Sequence, residues 1–180
     1  MQFLARDEAR LLQKKLDSQI ADKPRPKLVL YYESGNRDYS KAANTITASI
    51  GKFTEVTLLF LFCVTGDGWS EGNARDERWQ RYRLWRAANG DQRRLYDAPG
   101  HQFERGEGDN LSKLIAFALQ LGWDALLAAT PRRQLLFLSH DDRMEIYRGF
   151  ERRRLAERLI ALGYWRRATQ RGRSRGGTLS

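Results

Sequence analysis

Apolar residues recur along this chain in short runs, and the spacing of each run predicts an element. Leu4, Leu11, Leu12, Leu16 and Ile20 can share one face at a 3.6-residue period. Residues 5–20 therefore read as a helix that turns Lys14, Lys15 and Asp17 to water. Pro24 and Pro26 end it. Lys27 to Tyr32 is apolar with little alternation, which predicts a strand in the sheet interior. Ser40 to Ile50 carries alanines that favour a short helix and threonines that weaken one, and Gly51 closes it. Phe53 to Val64 is the strongest strand signal and is assigned to the sheet's centre, followed by a turn at Thr65-Gly66-Asp67-Gly68.

In the second half, Asn73 to Ala88 reads as a helix with Trp79, Tyr82 and Trp85 at intervals of three and Leu84 beside them. Asn89-Gly90-Asp91 stops it. Residues 91–108 look loop-rich, with a short strand at Arg94 to Tyr96. Asp109 or Asn110 can cap the next helix, whose stripe runs Leu111, Leu114, Ile115, Ala118 and Leu121 before Gly122. Trp123–Ala129, Gln134–Ser139 and Met144–Tyr147 read as strands, the last two a hairpin around His140 to Arg143. Phe150 to Trp165 reads as a final helix with Leu155, Leu159 and Leu162 inward. This order predicts an α/β fold, with α+β the other possibility. The expected sheet is mixed and partly antiparallel, has about five strands, and is covered by helices. One domain is expected over residues 1–167, then a basic flexible tail over 168–180.

Charge changes the picture more than composition does. With 32 Lys and Arg against 22 Asp and Glu, the net charge is +10. From Arg148 onward there are ten arginines and two glutamates, so that stretch alone carries +8. A second basic block, Arg75 to Arg94, sets seven arginines against Asp76, Glu77 and Asp91. The guanidinium fork suits phosphate and carboxylate alike, so nucleic acid and an acidic protein are both expected partners. The first ten residues carry four charges and no apolar core of a signal peptide, and the longest apolar run is about half a membrane span. The expectation is a cytoplasmic protein without a transmembrane segment. Cys63, the single cysteine, reads as a small buried hydrophobe.

Candidate chemistry is sparse. His140, Asp141 and Asp142 could join Asp67 in a divalent-cation or acid–base site, as a metal-assisted phosphodiesterase or nuclease would require. The plainer reading is that these acids make turns. Two histidines and one cysteine do not supply the usual four-ligand zinc sets. No phosphate-loop, dinucleotide or hydrolase-elbow motif is present, and no cofactor is expected. The arginines are the less ordinary feature. Arg83 and Arg86 lie on the aromatic helix. Arg148, Arg152, Arg153, Arg154, Arg158, Arg166 and Arg167 follow at the C-terminal end. They predict a non-enzymatic accessory or regulatory protein that binds nucleic acid through phosphate. An inhibitor-like protein-binding module is the alternative, and it should expose an apolar patch.

Overall fold

The computed structural model describes residues 1–21, 25–32, 38–61 and 76–166. In chain order the elements are β1 (Gln2–Leu4), α1 (Arg6–Ala21), β2 (Leu28–Tyr31), α2 (Tyr39–Ile50), β3 (Glu55–Phe60), α3 (Glu77–Ala88), β4 (Gly100–Glu104), α4 (Gly108–Leu121), β5 (Ala125–Thr130), β6 (Gln134–Ser139), β7 (Arg143–Arg148) and α5 (Arg152–Ala161). Seven strands form one sheet in the order β1-β4-β3-β5-β6-β7-β2. Every neighbouring pair is antiparallel. The fold is thus a mixture of helix and sheet, with an antiparallel sheet flanked by helices on both faces.

Alternation along the inner strands sorts the core into two. Val56, Leu58 and Phe60 of β3 and Leu127 of β5 face the layer of α2, α3, α4 and α5, where they meet Ile46, Tyr82, Leu114 and Leu159. Leu59, Leu126 and Leu135 point the other way and pack against Leu4, with Ala9 and Leu16 of α1. Burial on both faces explains why these strands read as unbroken apolar runs. In the thicker layer α3 packs on α4, α4 on α2, and α2 on α5.

Local signals set most boundaries. The Asp38 carboxylate accepts the Lys41 N–H at 3.0 Å and opens α2. Asp76 does the same for α3 through the Arg78 N–H at 2.9 Å. Gly122 ends α4 in the left-handed conformation, φ 62° and ψ 47°. Gly100 is required by space instead, because a Cβ there would lie 2.9 Å from the Leu4 Cβ.

Several expectations are corrected. The sheet has seven strands where about five were expected, since β1 and β4 were not anticipated. In β4 the inward positions are His101 and Phe103, both fully buried, so alternation is carried partly by a histidine. The segment expected as a strand at Arg94 to Tyr96 is a turn, closed by the Asp97 N–H donating to the Arg94 carbonyl at 3.0 Å. β2 is not interior. It is the edge strand beyond β7, and among the described residues its outer side is met by a bridge to Trp165. The final helix stops at Ala161, because Leu162 and Gly163 turn the chain toward that bridge. Leu11 is exposed rather than inward. Neither Asp109 nor Asn110 caps α4, which begins at Gly108 behind Glu107. The β6-β7 pairing shifts register at Leu135/Leu136, at the end of the hairpin away from the His140 turn. Cys63, the Thr65–Gly68 turn, the start of α3 expected at Asn73, and residues 168–180 fall outside the described residues.

Candidate nucleic-acid interface

The sequence of α5, Arg-Arg-Arg-Leu-Ala-Glu-Arg-Leu-Ile-Ala, decides which way its charges point. Leu155, Ala156 and Leu159 are buried against the core. Arg152, Arg153, Arg154 and Arg158 are left on the exposed side. A groove of about 1030 Å³ runs between this side of α5 and the start of β2. Arg152, Arg153, Arg154, Arg166 and Lys27 line it, with Glu151 and Glu157 as its acids. Phe150 and Leu28 make its buried apolar wall. A second hollow, about 270 Å³, continues past Arg154 and Glu151 to Arg158 and Arg132. The two together gather seven cationic side chains against two carboxylates.

Those carboxylates neutralise little. Arg153 Nε lies 2.9 Å from Glu157, and Arg154 lies 3.8 Å from Glu151, both pairs well exposed. Among the described residues, Lys27, Arg132, Arg152, Arg158 and Arg166 have no carboxylate within ion-pairing distance. The helix start adds to the field. α1, α3 and α4 each place an acid in the first turn, as the positive end of a helix favours. α5 places Arg152, Arg153 and Arg154 there, and Glu151 makes no capping hydrogen bond with its side chain. Positive charge is thus stacked on a positive helix end beside uncapped amides.

The remaining predicted residues are dispersed. Arg148 is half-buried on β7 and lines neither hollow. Arg83 is exposed on α3, separated from α5 by α4 and α2. Arg86 is corrected as a surface residue: it is 2% exposed. Its guanidinium donates to Asp91 at 2.7 Å, to the Ala98 carbonyl at 3.1 Å and to the Tyr82 hydroxyl at 3.0 Å. Tyr82 in turn has its own hydrogen for His101 Nε2, 3.1 Å away. Burial pushes the Asp91 carboxyl up, but Arg93 and Arg86 outweigh that and hold it below the usual carboxylate range. Arg167 lies outside the described residues. Lys27 and Arg132 were missed by sequence reasoning. Lys27 follows Lys23 and Arg25, and Arg132 precedes Arg133, but both pieces lie far from α5 in sequence, and only the fold brings them to it.

The His140 turn is tied into the fold by hydrogen bonds. Asp124 accepts the His140 N–H and its Nδ1, both at 2.8 Å, and Asp141 sits 3.3 Å from Nε2. The hydrogen bond to Asp124 raises the imidazole above the usual histidine range. Asp142 holds a positive φ of 54°, and its carbonyl accepts the Tyr32 N–H. Asp67 lies outside the described residues. Among the described residues no group of three or more His, Cys, Asp or Glu is placed to hold a metal ion. No described helix is long and apolar enough to cross a membrane.

Comparison with protein-family models, with curated proteins and with solved structures finds no significant match to this chain.

Proposed function

We propose that the protein is a non-enzymatic accessory protein that binds nucleic acid by its phosphate backbone along α5. The carrying observation is the groove and the hollow that shares Glu151 and Arg154 with it, together lined by seven cations and two carboxylates. Arginine forks and the amides at the start of α5 both suit phosphate oxygen. Phe150 and Leu28 are buried beneath the charges, and Ile160 is the exposed apolar residue of the lining. Contacts to phosphate position a backbone and carry little sequence information. An inhibitor-like module has weaker support: among the described residues the large exposed hydrophobics Leu11, Leu84 and Ile160 sit on three different helices, and Trp165 lies past the end of α5.

Fluorescence anisotropy with a labelled duplex and with the single strand of the same sequence tests this at two salt concentrations. If four phosphates are engaged, the slope of log K against log salt should be about −3.6 for duplex and about −2.8 for single strand. Replacing Arg152, Arg153 and Arg154 by Gln should flatten the slope by roughly one unit per lost contact. Arg81→Gln, on α3, should change nothing. Binding that ignores salt, or that survives the triple replacement intact, rejects the reading and favours an acidic protein partner.

A further inference from the structure

At the opposite end of the helical layer, α3 and the segment 91–95 enclose a cleft of about 520 Å³. That is the size of a small-molecule site, for which about 300–1,000 Å³ is usual. Its lining is divided by chemistry. Leu84, Ala87 and Leu95 give it an apolar side. Arg83, Arg86, Arg93 and Arg94 also line it, with Asp91 as the single carboxylate.

The charged side is built rather than incidental. Asp91 is 4% exposed, and with one oxygen it accepts Arg86 at 2.7 Å. Its other oxygen accepts both the backbone N–H and the Nε of Arg93 at 2.9 Å. Two arginines are thereby held in fixed orientation by one buried acid. Arg94 is drawn outward to Asp97 at 3.0 Å. Arg83 has no carboxylate within ion-pairing distance among the described residues. The cleft therefore keeps an excess of positive charge, and Arg83 is the group open to a ligand. Leu84, 70% exposed, stands beside it and would be covered by an apolar ligand body.

We propose that this cleft binds a small organic anion, a phosphate or carboxylate joined to a flat apolar body. Arg83 takes the charged group, and Leu84, Ala87 and Leu95 flank the body. The site is distinct from the α5 groove and does not depend on nucleic-acid binding there.

Isothermal calorimetry on the full chain tests it with three probes: adenosine monophosphate, benzoate and inorganic phosphate. At least one of the first two should bind with a Kd of about 1 mM or tighter. Which one binds distinguishes phosphate from carboxylate. Inorganic phosphate lacks the apolar body and should bind roughly tenfold more weakly. Arg83→Gln should weaken the bound probe about fivefold, the loss expected of one exposed charge contact. Ala87→Trp, an exposed change that fills the cleft from its wall, should abolish binding. Arg152→Gln with Arg153→Gln should leave it unchanged. The proposal is overturned if neither organic probe binds, if inorganic phosphate binds as tightly, or if Arg83→Gln has no effect. It is also overturned if the α5 replacements weaken binding as much as Arg83→Gln, which would place the anion in the groove.

Discussion

Arg86 and Arg152 carry the same guanidinium and have opposite surroundings. One is closed into a hydrogen-bonded set with Asp91, Tyr82 and His101, and the other is exposed at the start of α5. The spacing of Trp79, Tyr82 and Arg86 puts Arg86 on the buried stripe of α3, and Asp91, five positions on and beyond a turn, supplies its partner. The same set predicts how stability responds to pH. His101 is fully buried, and burial, with the Arg86 charge adding to it, holds its imidazole well below the usual range. The unfolded chain takes up that proton near pH 6.5, about the free value, while the folded chain stays neutral. Stability is therefore lost as pH falls below about 6.5, at up to about 1.4 kcal/mol per pH unit. His140 has the opposite sign. Its raised pKa gives stability that is whole below about 6.5 and lost as pH rises through the folded value. It is 45% exposed, so its share is small. Urea unfolding at pH 7 and pH 5.5 should show the midpoint falling with acidity. His101→Gln should flatten that trend, and an equally steep trend in the variant would remove His101 as its cause.

At the scale of elements, the spacing of apolar residues identified α1, α3, α4 and the β5-β6-β7 meander, because each shows its burial as a period, whereas α2 stayed open between alanines that favour a helix and threonines that weaken one. The spacing failed where burial is shared with polar or small residues, as at Gly100, His101 and Phe103 in β4. It also overextended the last helix, because Tyr164 and Trp165 continue an apolar pattern that Gly163 interrupts by its left-handed turn, φ 89°. α5 offers a test of why its first turn is basic. A helix start prefers acids by about 0.3–1 kcal/mol each, and Arg152 has no carboxylate partner among the described residues. Arg152→Glu should therefore raise stability by a few tenths of a kcal/mol at low salt, with the gain shrinking as salt screens it. The same variant should bind nucleic acid more weakly than wild type. A gain in stability with a loss of binding would mark the arginine as kept for its partner. A variant less stable than wild type at low salt would show that Arg152 supports the helix itself.

For the whole molecule, the linear charge pattern revealed that the C-terminal end is basic, but it could not reveal which cations converge. Lys27 precedes β2, Arg132 lies between β5 and β6, and Arg166 follows the bridge to Tyr31, so their meeting depends on strand order. That bridge also settles how the sheet ends. β2 pairs with β7 on one side, and an open outer side would offer backbone groups to another chain. Here the Tyr31 N–H donates to the Trp165 carbonyl at 2.8 Å, and the Trp165 N–H donates to the Tyr31 carbonyl at 2.9 Å. Trp165→Pro removes the second donor while leaving the chain at full length. It should lower the melting temperature and make sedimentation depend on protein concentration, as an uncovered edge begins to pair. Trp165→Ala keeps both backbone bonds and loses the side chain alone, so it can lower the melting temperature through lost burial but should leave sedimentation independent of protein concentration. Two variants with the same melting temperature and no association would show that the bridge does not guard the edge. Association in the proline variant alone would assign that guard to two backbone hydrogen bonds at the rim of the basic groove.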